Sequence, residues 1–176
     1  MTKSRASARI EEFAIDAETR VTSDHHQSLR VWLRMLACTN LLDNHVRQKL
    51  QAQFGTTLPR FDLMAQLERA PQGLKMGELT RRLMVTGGNV TGITDMLEEE
   101  GLVARATDPN DQRAFRVKLT KAGEQQFQKM ACEHERWVVD LFEDLTVKQK
   151  TLLAELLNAL KKSVTERLVA QSGPRS

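Results

Sequence analysis

The chain has 176 residues, 40% of them hydrophobic and 28% charged, which suits one domain with appendages and excludes a low-hydrophobicity disordered chain. No apolar run approaches the ~20 residues of a spanning helix, and the first 24 residues mix acids and bases without the apolar stretch of a secretory signal, so a cytoplasmic protein with no membrane partner is expected. A net charge of +3 permits a nucleic-acid partner without requiring one, while two widely spaced cysteines and four histidines lacking metal-ligand spacing lead to an expectation of no disulfide framework, no metal and no cofactor.

In chain order, residues 1–24 read as an N-terminal arm in which Ile10, Phe13, Ala14 and Ala17 keep helical spacing. Over 25–54, Leu29, Trp32, Leu33, Leu36, Leu41, Leu42, Val46 and Leu50 recur as on one side of a long helix, and Gly55 should end it. Pro59 suits the opening of a second helix carrying Phe61, Met64, Ala65 and Leu67, which Pro71 and Gly73 close. A short helix over 78–83 with Leu79 and Leu83 breaks near Val85, and Thr86 caps the next, whose buried stripe is Val90, Ile93 and Leu97. Gly101 reads as the left-handed residue ending that helix, with Leu102 folding back onto Leu97. Glu98, Glu99 and Glu100 oppose the helix dipole there, so they serve something other than helix stability.

Beyond Gly101 the period changes to two. Phe115, Val117 and Leu119 alternate with Arg116 and Lys118, pairing with a strand over 102–106 through the turn DPNDQR at 108–113. Thr120 then starts a helix carrying Phe127, Met130, Ala131, His134, Trp137, Val138, Leu141 and Phe142. Thr146 and Gln149 form a capping box ahead of a last helix with Leu152, Leu153, Leu156, Leu157, Leu160, Val164 and Leu168. That stripe is too apolar for a lone surface, and it predicts a homodimer seam of Leu153, Leu156, Leu157, Leu160 and Val164 with Leu29. Residues 171–176 are expected to be a disordered tail.

Helix, break, helix and hairpin in that order make a winged helix-turn-helix, whose second helix enters a major groove. With Val90, Ile93 and Leu97 inward, the opposite face should present Asn89, Thr91, Thr94 and Asp95 to base edges. Gly87, Gly88 and Gly92 each cost up to ~1 kcal/mol relative to alanine in a helix interior, a penalty that close approach to a DNA backbone would explain. The helix start at Thr86 offers N–H groups to a phosphate, and Arg81 and Arg82 add charge nearby. On the hairpin, Arg105, Arg113, Arg116 and Lys118 are the bases. Arg113, in the turn, is the candidate for a minor groove, with Asp111 holding its guanidinium; a solvated turn residue is the plainer alternative. Basic and acidic residues balance between Arg60 and Lys118, so the three glutamates must lie away from the groove while the bases converge on it.

The run RRLMVTGGNVTGITDMLEEEGLV followed by DPNDQRAFRVKLTKAG resembles the MarR family of dimeric winged-helix transcription factors, most strongly over 58–123. The resemblance implies a mainly α fold with a small β-hairpin: a DNA-binding lobe over 58–119, and a dimerisation region over 25–57 and 120–170 whose N- and C-terminal helices intertwine between two copies. It also implies a double-stranded DNA operator of pseudo-palindromic form, Arg113 entering the minor groove, repression as the commoner outcome, and an effector pocket between dimerisation helices and DNA lobe. Lys121 stands where many relatives have proline, and the arm is longer than usual. The stretch FGTTLPRFDLMAQLERAP is similar to the branch associated with degradation of aromatic acids, which implies an aromatic carboxylate or its coenzyme A thioester as inducer. Candidate pocket residues are Trp32, Met35, Thr39, Phe61, Met64 and Met130, with Arg34 or Arg60 for a carboxylate or phosphate. Core packing is the favoured competing reading for Trp32 and the methionines, and Cys38, among leucines, is expected to be a buried, inert thiol. The rivals are a winged-helix protein-interaction scaffold and a small enzyme using His134 and Glu135. The second lacks a Ser/His/Asp set, paired carboxylates or a phosphate-cradling loop, so no enzyme is expected.

Overall fold

The computed structural model describes residues 27–83, 87–108 and 111–171, with side chains at all of these except 87 and 111–114. The predicted arm, the cap at Thr86 and the tail beyond 171 lie outside the described residues. Helix α1 spans Gln27–Phe54 and buries Val46 and Leu50 in its C-terminal half. It stops at Gly55, whose φ of 60° places it in the left-handed region. A Cβ there would meet nothing within 4 Å, so the backbone angle alone favours glycine. Helix α2, Leu58–Glu68, starts from an extended Thr57 with Pro59 in its first turn. The Thr57 carbonyl accepts from the N–H groups of both Arg60 and Phe61, each at 3.1 Å. Besides Phe61, Met64 and Leu67, α2 buries Leu63, which the single-stripe reading left out; a helix covered on more than one side carries apolar residues off its main stripe.

Helix α3, Met76–Leu83, and helix α4, Gly87–Glu99, form the helix-turn-helix. Glu78 is the third residue of α3, and its carboxylate accepts the Lys75 N–H at 2.9 Å. This cap moves the helix start two residues ahead of the predicted one. Hydrogen bonding to that backbone N–H holds the Glu78 carboxyl below the usual carboxylate range, with Arg116, Arg82 and Arg81 adding to the effect.

The sheet has three antiparallel strands in the order β1-β3-β2: β1 Leu74–Lys75, β2 Val103–Asp108 and β3 Asp111–Leu119. The hairpin was expected, but its strands run further than predicted: Asp108 ends β2 and residues 111–113 lie on β3, not in a turn over 108–113, because the ladder continues past the alternating apolar residues. Strand β1 was not expected, because two residues give no alternation to read. Leu74 pairs with Val117 and Lys75 with Arg116. Gly73, at φ 78°, delivers the chain to this edge so closely that a Cβ would stand 2.8 Å from the Val117 carbonyl oxygen. Val117 and Val103 are buried, but Phe115, on the same strand parity as Val117, is 54% exposed. The hairpin therefore runs past the core.

The end of α4 follows expectation: Gly101 has φ 71° and the Leu102 N–H donates to the Leu97 carbonyl at 2.9 Å. Thr120 caps helix α5, Lys121–Leu141, by accepting the Gly123 N–H at 3.0 Å, and its hydroxyl donates to the Gly101 carbonyl at 2.7 Å. A Cβ on Gly123 would fall 1.9 Å from the Leu102 carbonyl oxygen, so only glycine lets α5 start against the sheet. Phe61 joins α2 to α5, its ring 5.5 Å from that of Phe127 and 5.0 Å from that of His134.

The described residues fall into two compact units, one ending at 135 and one starting at 136; the second comprises the end of α5 and helix α6, Val147–Gln171. The capping box is present: Thr146 N–H donates to Gln149 Oε1 at 2.8 Å and Gln149 N–H to Thr146 Oγ1 at 3.3 Å. No residue of α6 is buried.

Candidate nucleic-acid interface

Helix α4 has two sharply different sides. Val90, Ile93 and Leu97 are buried as expected, and Gly88, Asn89, Thr91, Gly92 and Asp95 are exposed. A Cβ added at Gly88 or Gly92 would meet nothing within 4 Å, so packing within the chain does not require either glycine. Thr94 corrects the predicted outward face. It is 0% exposed, and its hydroxyl donates to the Val90 carbonyl at 2.8 Å and lies 4.0 Å from Met76 Sδ. At four residues from Val90 it falls on the buried side, where a threonine is accommodated because the preceding turn accepts its O–H. Met96, missed as a surface residue, is 51% exposed.

Three arginines with predicted ligand or DNA roles have internal partners. Arg105 of β2 bonds both Asp95 and Glu98 of α4, and its N–H donates to Glu98 Oε1 at 3.1 Å. Those carboxylates, the Asp95 hydrogen bond foremost, raise the pKa of the Arg105 guanidinium further. Arg116 donates through Nε to Asp108 at 2.8 Å and through a terminal nitrogen to the Gly73 carbonyl at 3.0 Å. The buried Asp108 carboxylate also pairs with Lys75 at 3.2 Å, which ties the outer strands across β3. Arg60 pairs with Glu100 at the end of α4. Arg105, Arg116 and Arg60 are thus bracing residues in this structure. The acids at the end of α4 gain a role too: Glu98 and Glu100 hold the helix to β2 and to α2. Sequence spacing could not show these pairs, because each joins elements apart in the chain.

Arg81 and Arg82 are exposed at the end of α3, Arg81 donating to the Gly77 carbonyl at 3.4 Å. Gly87 lies at the first position of α4, and Asp111 and Arg113 lie on β3 by backbone; the side chains of Asp111 and Arg113, like residue Thr86, are outside the described set.

The predicted effector residues differ in exposure. Phe61, Met64 and Met130 are buried in the core, which for the methionines is the competing reading. Trp32 corrects the core reading in the other direction, being 56% exposed. Arg34 and Thr39 are also exposed on α1 and Met35 half-buried. Two surface cavities, of about 570 and 250 Å³, contain none of these residues: Phe54, Gln125, Gln128, Lys129, Cys132 and Glu133 line the first, and Leu67, Glu68, Pro71, Leu119, Glu124 and Gln128 the second. Cys38, expected to be buried, is exposed, as is Cys132. Among the described residues, no three His, Cys, Asp or Glu side chains cluster as a metal would need, and no helix is long and apolar enough to cross a membrane.

A helix-turn-helix followed by an antiparallel hairpin, within a mainly helical chain, is the winged helix-turn-helix architecture. Residues 56–115 match the model of the MarR family. A MarR family transcriptional regulator from Silicibacter pomeroyi has a similar solved structure, with 33% identity, 81% of this chain and 99% of that one covered, and a TM-score of 0.70. Sco3205 of Streptomyces coelicolor, solved in complex with DNA, is 25% identical with a TM-score of 0.69 over 81% of this chain and 90% of that one. In sequence, the transcriptional activatory protein BadR of Rhodopseudomonas palustris is 32% identical over 96 residues, which span 53% of this chain and 54% of BadR. The chain belongs to the MarR family, and fold and relatives alike are those of regulators and not of enzymes.

Proposed function

We propose that this regulator binds a pseudo-palindromic operator as a homodimer, with α4 in the major groove and the β2–β3 turn in the adjacent minor groove. The observation that carries the reading is the outer face of α4, where Gly88 and Gly92 are exposed and internal packing demands neither. Asn89 and Thr91 lie on that face as the base-edge candidates, Arg81 and Arg82 as phosphate contacts, and Thr86 and Gly87 as the helix start that a phosphate would approach. Arg113 is the minor-groove residue and Asp111 its support. DNA binding by Sco3205, a relative of the same architecture, supports the assignment.

The domain division accompanies this reading: residues 58–119 as the DNA lobe, 25–57 and 120–170 as the dimerisation region. Leu29 of α1 is exposed, as are Leu153, Leu156, Leu157, Leu160 and Val164 of α6; a second copy would bury them. The effector is a small aromatic acid or its coenzyme A thioester. Trp32, Arg34, Met35 and Thr39 of α1 are candidate contacts beside Arg60, Phe61, Met64 and Met130, Trp32 supplying an aromatic face and Arg34 or Arg60 a partner for carboxylate or phosphate. Release follows if the effector changes the angle between lobes, because two recognition helices must stay about 34 Å apart to enter successive major grooves.

The expected output is repression. Activation is the second reading, favoured by the name of BadR as an activatory protein, and a reporter downstream of the operator separates the two by the sign of its response. The DNA reading is tested with a duplex recovered by the wild-type protein from a randomised pool. Arg113→Ala is expected to weaken binding at least about tenfold with the dimer intact, which corresponds to the loss of one charge-assisted groove contact of about 1.4 kcal/mol. Unchanged affinity contradicts the minor-groove role of Arg113.

A further inference from the structure

Phe115 stands out on the hairpin because a large aromatic side chain on a strand beside the core is left 54% exposed. Its place follows from register. Arg105 pairs with Val117 and Thr107 with Phe115, and cross-strand partners share a face of the sheet. Arg105 reaches Asp95 and Glu98 of α4 from that face, so Phe115 lies on the α4 side of the hairpin, one pair nearer the turn. The cations at the hairpin's base, Arg105 and Arg116, already have carboxylate partners.

We infer that Phe115 is a DNA-contact residue, its ring packing against deoxyribose of the strand that separates the two grooves. The inference rests on the DNA-binding reading. A duplex that takes α4 in its major groove and the hairpin turn in the neighbouring minor groove must carry one sugar–phosphate strand between them. Phe115 faces that space. A phenyl ring offers no hydrogen bond to a phosphate or a base edge, whereas the C–H faces of deoxyribose are apolar and present at every nucleotide. The contact adds affinity without sequence information or ion release.

The test compares wild type, Phe115→Ala and Phe115→Leu on the pool-selected duplex and on a scrambled duplex of the same length, over a range of salt concentrations. Phe115→Ala should bind both duplexes about tenfold more weakly with an unchanged slope of log affinity against log salt, Phe115→Leu should recover most of the loss, and both should melt as wild type does. Equal affinity of Phe115→Ala and wild type overturns the inference alone. A loss confined to the selected duplex overturns the deoxyribose assignment, and failure of the wild type to recover any duplex overturns the DNA-binding reading and this one with it.

Discussion

Gly123 and Gly73 are glycines for a steric reason, each standing where a Cβ would collide with a backbone carbonyl, of Leu102 and Val117 respectively. Gly123→Ala should therefore destabilise the protein by about 3 kcal/mol or more, since neither the α5 backbone nor that of Leu102 can move aside without repacking; urea unfolding measures it, and a cost below about 1 kcal/mol would contradict the close approach. His134 stacks on Phe61, and desolvation lowers its pKa from the ordinary 6.5. A depressed histidine leaves the unfolded chain binding more protons as the pH drops, so this contribution is intact above pH 6.5 and lost as pH falls through the folded-state pKa. His134→Phe should flatten the stability profile on the acid side of pH 6.5, as read from melting temperatures; an unaltered profile contradicts the assignment. Asp62 has the opposite sign. Burial, and then Asp43, raise its pKa above 3.8, so its ionised form is a standing cost at neutral pH. Asp62→Asn should raise the neutral-pH melting temperature, and a fall would contradict that. Single residues were only partly readable in the sequence. Gly101 was placed by the helix pattern ending just before it, but Thr94 could not be assigned to the buried side from its polarity, and the carbonyl facing Gly123 is 21 residues away in no local pattern.

The helix ends were readable because their determinants are local: Gly55 and Gly101 close α1 and α4, and Thr146 with Gln149 opens α6. The hairpin was readable from its alternation. Strand β1 was not, and with it went the reason for Arg116, whose partner Asp108 also takes Lys75 from that third strand. The same limit hid the arginine braces: Arg105 fixes β2 to α4 and Arg60 fixes α2 to the end of α4. These pairs orient the helix-turn-helix against the hairpin, so Arg105→Gln should weaken operator affinity by loosening that orientation while leaving secondary structure intact. Circular dichroism beside a binding titration checks this, and wild-type affinity would return Arg105 to a merely decorative ion pair of the kind common at surfaces.

At the scale of the molecule, α6 offers a long row of exposed leucines and buries none of its residues within the chain. Light scattering should give a mass twice the 20.0 kDa of one chain, and Leu156→Glu with Leu160→Glu should return it to that of one chain; a monomeric wild type contradicts the dimer. The apolar row was plain in the sequence, whereas the burial of aromatic residues was not, because a residue's type does not say whether neighbouring elements cover it: Phe61 is buried and Trp32 exposed. The account as a whole turns on the outer face of α4 being left bare for a DNA backbone. Gly92→Ala tests it most directly, measured on one preparation for melting temperature and for affinity toward the pool-selected duplex. The added methyl meets open space in the free protein and favours the helix by up to about 1 kcal/mol, so melting should hold or rise by a few degrees while affinity falls about tenfold or more. A variant that melts as expected and binds the duplex as tightly as wild type would show that no backbone comes near this face, and would contradict the account.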